Sequence, residues 1–256
     1  MEGQSVIFEQ RGDVGIVYLN EPEKMNALSM VLKKQLLTVL QRIQQQDIKV
    51  LIITGNGKGF CAGGDLTAMQ EAYDAMAIKE SMEISSQIVQ QLRALPQLTI
   101  SVVNGFAAGA GFSLALSTDL TIAEEQAKFI IAFKNVGLIP DLGLHYHLQK
   151  ALGSRIAKEW VYQGRTITAL EAQSYQFVNQ VVAKDQGLEH ALKLAEELLT
   201  GPIEAFKASK RIFNELEDAQ LKQVMDIENL VQVILRGEEE HKGYLQQFLQ
   251  NKTVKT

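Results

Sequence analysis

Two glycine-rich turns constrain this chain more than any other feature. The first reads Gly59-Phe60-Cys61-Ala62-Gly63-Gly64-Asp65-Leu66, and the second Asn104-Gly105-Phe106-Ala107-Ala108-Gly109-Ala110-Gly111. They follow short apolar runs, Val50–Thr54 and Thr99–Val103, and each opens a helical pattern. A strand-to-helix turn of small residues exposes backbone N–H groups, and a helix N-terminus adds a positive field. Two such turns brought face to face can donate two hydrogen bonds to one oxygen, an oxyanion hole. Taken singly, each turn more often means tight helix–sheet packing. Neither turn carries the Gly-Lys-Ser/Thr of a Walker phosphate loop or the Gly-x-Gly-x-x-Gly of a Rossmann unit.

The rest of the chain alternates in the same way. Ser5–Glu9 and Val14–Asn20 read as a hairpin across Arg11-Gly12-Asp13. Ser29 can cap a helix to about Gln46, with Leu32, Leu36, Val39, Leu40 and Ile43 on one face. Asp65 is placed to cap a short helix, and another helix runs from about Glu80 to Ala94. Asp119–Ala123 and Phe177–Val182 read as strands, and Gly137–Gly143 as a turn. Strands alternating with helices imply an α/β fold with parallel pairing. From Leu188 the pattern is helical, in segments Lys193–Leu199, Ala205–Leu216, Leu221–Leu235 and Glu239–Leu249. This divides the chain into a core at residues 1–195 and a helical region at 196–256. Ile227, Leu230, Val231, Ile234 and Leu235 are too apolar to leave exposed, so the tail is a small helical domain or an oligomerisation element.

Composition narrows the classes. A net charge of -5, with no basic run, argues against a nucleic-acid partner. The single cysteine, Cys61, excludes an intrachain disulfide and a thiolate metal cluster, and fits a cytoplasmic home. Met1–Gln10 has no signal-peptide core, and no apolar run reaches the ~18 residues of a membrane span.

Met25-Asn26-Ala27-Leu28, then Phe60 through Asp65, then Asn104 through Gly111, resemble the crotonase (enoyl-CoA hydratase/isomerase) family in order and spacing. Asp119, Phe129, Gly137-Leu138-Ile139-Pro140 and Gly164-Arg165 continue the likeness. The resemblance implies a spiral of ββα units with a C-terminal helical trimerisation region, as a homotrimer or homohexamer. It implies an acyl-CoA substrate, a coenzyme A thioester, with no other cofactor and no metal. It places the oxyanion donors at the amides of Ala62 and Ala110. Met25, Ala27, Ala62, Gly63, Gly64, Asp65, Leu66, Gly109, Phe133, Leu138 and Phe248 are then the binding residues, with Phe248 packing on adenine. The lysine that follows in the family's last helix is displaced here to Lys252.

Hydratases of this family use two glutamates, and the matching positions here are Ser113 and Phe133. Neither can deprotonate a water. Asp141, in Pro140-Asp141-Leu142-Gly143, resembles instead the catalytic aspartate of the isomerase branch, which includes 1,2-epoxyphenylacetyl-CoA isomerase-like proteins. One base suffices for a double-bond shift, and apolar neighbours such as Phe133 and Leu138 raise its pKa. Pro-Asp-x-Gly is also good turn chemistry in its own right. The expectation is a Δ3,Δ2-enoyl-CoA isomerase with Asp141 as acid–base; the alternatives are an enoyl-CoA hydratase and a non-catalytic acyl-CoA binding subunit. Cys61 reads as a buried filler because no basic partner is evident. His145 and His147, two apart, cannot share a ligand on a helix.

Overall fold

The computed structural model describes residues 4–71 and 73–253. The two ends of the chain and the Lys252 side chain lie outside the described residues. In order, the strands are β1 (Val6–Arg11), β2 (Val14–Leu19), β3 (Val50–Gly55), β4 (Gly59–Cys61), β5 (Leu98–Val103), β6 (Phe106–Ala108), β7 (Leu120–Glu124), β8 (Lys128–Ile130), β9 (Thr166–Thr168) and β10 (Gln180–Val182). The helices are α1 (Met30–Ile43), α2 (Ala75–Ala94), α3 (Ala110–Leu116), α4 (Leu144–Gln163), α5 (Ala169–Ser174), α6 (Gly187–Thr200), α7 (Ile203–Gly237) and α8 (Glu239–Thr253).

The strands form two sheets. The larger runs β1-β2-β3-β5-β7-β10 and the smaller β4-β6-β8-β9. In each of the units β3-β4-α2, β5-β6-α3 and β7-β8-α4, the first strand joins the large sheet and the second the small one. The chain therefore advances as the ββα spiral of crotonase-type proteins. Among the described strands, β1–β2 and β8–β9 pair antiparallel and the rest pair parallel. Side chains alternate across the large sheet, as the two-residue period of a strand requires. Ile16, Ile52, Ile100 and Ile122 pack with Ala191 and Ala195 of α6 on one face. Val17, Leu51, Ile53 and Val103 join Leu32, Leu36, Leu40 and Ile43 of α1 in the main core on the other. Ser29 caps α1, accepting the Leu32 N–H at 3.1 Å. Truncating a core residue such as Leu40 to Ala costs about 2–5 kcal/mol.

Several boundaries differ from the expectation. α2 starts earlier, at Ala75, because Asp74 accepts the Met76 and Ala77 amides. The two helices expected around residues 205–235 are one helix of 35 residues. The border at residue 195 falls inside α6, which packs on the sheet, so the purely helical region begins with α7. Asp119 is structural: its carboxylate accepts the Thr99 N–H at 2.7 Å and pairs with buried Lys210 of α7 at 2.8 Å.

Candidate active site

β4 and β6 lie side by side in parallel, with Cys61 opposite Ala107. The turns that follow them interlock. A Cβ on Gly63 would stand 2.4 Å from the Ala108 carbonyl oxygen, and one on Gly111 2.3 Å from that of Cys61. Gly63 also takes φ +86°, where side chains are strained. Glycine at these positions lets two backbones meet, and so brings both turns to one cavity.

A third segment completes the wall. The Ala62 N–H donates to the Met25 carbonyl at 2.9 Å and the Leu28 N–H to the Gly63 carbonyl at 2.7 Å. Asn26, fully buried, holds this loop in place: Oδ1 accepts the Glu21 N–H at 2.8 Å, and Nδ2 donates to the carbonyls of Asn56 and Gly59 at 3.0 and 2.9 Å. One expectation is thereby revised. The Ala62 amide is committed to Met25 and is not free to hold a ligand oxygen. Gly64, later in the first turn, and Ala110, in the second, both line the cavity, and among the described residues neither amide has a protein partner.

The cavity measures about 570 Å³. Met25, Ala27, Ala62, Gly64, Asp65, Leu66, Gly109, Ala110, Phe133, Leu138, Asp141 and Phe248 all line it. Gly63 alone of the expected residues does not, because it backs the turn against Ala108. Met69, Met82, Gln232 and Arg236 also line it and were not singled out in the sequence. Asp65 accepts the Thr67 and Ala68 amides at 2.9 and 3.4 Å, although Thr67, not Asp65, is the N-cap of the short 3-10 helix Ala68–Gln70. Cys61 is buried, and burial pushes its thiol up to about 12, which suits a filler and not a nucleophile.

Asp141 sits on a turn strapped between two helices. Ser113 of α3 donates its hydroxyl to the Asp141 carbonyl at 2.8 Å. From α7, Gln232 donates to the Ile139 carbonyl at 2.6 Å, and Glu228 accepts the Gly143 N–H at 2.7 Å. The Asp141 side chain stands between the first cavity and a second one of about 590 Å³, lining both. The residue is half-buried because it borders these cavities, yet Oδ1 is sealed and has no hydrogen-bond partner. Burial, followed by the nearby Glu228 carboxylate, pushes the Asp141 carboxyl up to about 8, against a weaker downward pull from Lys33 and Arg236. His145 lines neither cavity and bonds Glu228 through Nδ1 at 2.7 Å. His147 is separate from it, half-buried with a sealed, unpartnered Nε2, and burial pushes its imidazole down to about 3.

Residues 9–255 match the family model described as enoyl-CoA hydratase/isomerase. The chain is 35% identical over 214 residues to 1,2-epoxyphenylacetyl-CoA isomerase of Escherichia coli K12, covering 82% of each chain. It is 32% identical over 233 residues to crotonyl-CoA hydratase of Syntrophomonas wolfei, covering 89% of this chain and 88% of that one. The enoyl-CoA hydratase from Bacillus halodurans superposes with a TM-score of 0.87 at 26% identity, over 95% of this chain and 99% of the other. The chain is therefore an enzyme of the enoyl-CoA hydratase/isomerase, or crotonase, family.

Proposed function

We propose that this enzyme shifts the double bond of an enoyl-CoA from the 3 to the 2 position, with Asp141 as its acid–base. The observation that carries this reading is one buried carboxyl, with an unpartnered oxygen, on a cavity that also presents two unpartnered amides. In the reaction, ionised Asp141 takes a proton from C2 of the 3-enoyl thioester. The charge moves onto the thioester oxygen, which accepts hydrogen bonds from the Gly64 and Ala110 amides. One such donor is typically worth about 2.7–4 kcal/mol in the transition state. Asp141 then returns the proton at C4. Raising the base toward the working pH makes the transfer efficient in both directions.

The other acids on the cavity are poorly suited. Asp65 is tied to the Thr67 and Ala68 amides, and Glu23 is exposed. At the two hydratase positions, the Ser113 hydroxyl is spent on the Asp141 carbonyl and the Phe133 ring covers Gly109. Neither supplies the second acid that hydration needs. Ala27, Asp65, Leu66 and Phe248 lie on the same cavity and are assigned to coenzyme A.

The test is to incubate the enzyme with 3-enoyl-CoA and 2-enoyl-CoA and follow isomer and 3-hydroxy product separately. Isomerisation of the first should exceed hydration of the second. Faster hydration would overturn the choice of reaction.

A further inference from the structure

The second cavity holds two cations, Lys33 and Arg236, that among the described residues pair with none of the acids lining it, Asp65, Glu71, Asp74 and Asp141. It shares Gly64, Ala110 and Asp141 with the first cavity, so it extends from the oxyanion amides on the side away from Phe248, which lines only the first. Lys33 of α1 lines only this second cavity, and Arg236, in the last turn of α7, lines both. Lys33 is 5% exposed. Its ammonium donates to the Ser81 carbonyl at 3.1 Å and to the Ser81 hydroxyl. An ammonium has three donors, so one is left over. Among the described residues, the Arg236 guanidinium makes no hydrogen bond, and neither cation forms an ion pair, with Asp141 or any other acid. The acids closest in charge to Lys33 besides Asp141 are already occupied: Asp65 by the Thr67 amide at 2.9 Å and Glu80 by Lys34 at 3.0 Å.

A pocket for a plain hydrocarbon chain gains from apolar walls such as Ile78, Met82 and Leu142, and a buried ammonium in that wall only costs free energy. The cost is visible in Lys33, whose ammonium burial pushes down to about 8. A carboxylate entering the cavity supplies what both groups lack. It accepts a hydrogen bond from the third ammonium N–H, and its two oxygens match the planar fork of a guanidinium.

We propose that the acyl group this site accepts carries a free carboxylate at its far end, held between Lys33 and Arg236, so that the substrates are monothioesters of unsaturated dicarboxylic acids. This rests on the acyl-CoA reading of the site given above. An anionic partner for these cations has a second source, the phosphates of coenzyme A itself, and the measurement separates the two.

Calorimetry would compare succinyl-, adipoyl- and suberoyl-CoA with butyryl-, hexanoyl- and octanoyl-CoA on the intact enzyme. At least one carboxylated ligand should bind tenfold or more tighter than its neutral counterpart. Lys33→Met and Arg236→Met should each bring that ratio close to one. No preference in the wild type would overturn the inference. So would variants that weaken both ligands equally and leave the ratio unchanged, since the cations would then serve the phosphates. None of these ligands needs to react. A preference without turnover of any enoyl-CoA would sink the proposed reaction and leave this inference standing, and isomerisation without a preference would do the reverse.

Discussion

With its carboxyl pushed up to about 8 by burial and then by Glu228, Asp141 is mostly protonated at neutral pH. A base works only when ionised, so activity must increase as pH rises through that value. The pH dependence of kcat/KM reports the groups of the free enzyme. It should show a rising limb centred near pH 8, set by Asp141. Glu228→Gln removes the like charge and keeps an oxygen to accept the Gly143 N–H, so the limb should move to lower pH. A limb near the ordinary carboxylate range in the wild type, or one unmoved in the variant, would contradict the assignment. The same residue also bears on stability. The fold disfavours ionised Asp141, so this carboxyl draws stability down as pH climbs from the ordinary carboxylate range toward about 8. Removing the charge by substitution therefore does not threaten the fold.

At the scale of elements, the large-sheet strands and α1 were legible because their signals are local, whereas β4, β6, β8 and β9 of the small sheet were not read, since three residues are too few to show a strand's alternation. Ser29 sits one residue before the helix it caps, and the apolar period of Leu32, Leu36, Leu40 and Ile43 is unbroken. α4 was not read as a helix. Its lengthy course is bent at Gly153, with φ +72°, and few of its residues are buried, so it carries little periodic signal. α7 was divided in two at residues 217–220, yet Glu217-Asp218-Ala219-Gln220 contains neither glycine nor proline, and nothing there stops a helix. The proposed oxyanion donor moves from Ala62 to Gly64 for a different reason. Which amide of Ala62-Gly63-Gly64 stays free depends on where the Met25 carbonyl comes to rest, and that is decided by the Asn26 contacts to Asn56 and Gly59, more than 25 residues away. Lys33 likewise looks like an ordinary helix lysine until α2 brings Ser81 over it. The pocket residues were legible where a family motif marked them, and invisible where α7 delivered them, as with Gln232 and Arg236.

For the whole molecule, α7 carries two faces. Leu221, Met225, Glu228 and Gln232 are buried against the rest of the chain. Ile212, Phe213, Leu216, Ile227, Leu230 and Ile234 are exposed, while Val231 and Leu235, expected in the same stripe, are half-buried. An apolar face of this extent calls for cover. The enzyme should run as a trimer or hexamer in light scattering at micromolar concentration, and a mass of 28.4 kDa would contradict that. The same helix straps the turn that carries Asp141, through Gln232 and Glu228. The candidate site is thus built by one end of the chain closing over two turns from its first half. The central claim is that Asp141 moves the proton, and the most direct measurement is the rate of 3-enoyl-CoA isomerisation by Asp141→Asn, alongside its affinity for the same ligand. Asparagine keeps shape and polarity but cannot accept a proton. The account predicts a rate loss of about 10²–10⁴ with affinity changed by no more than a few-fold. A variant that keeps over half of the wild-type rate would contradict it.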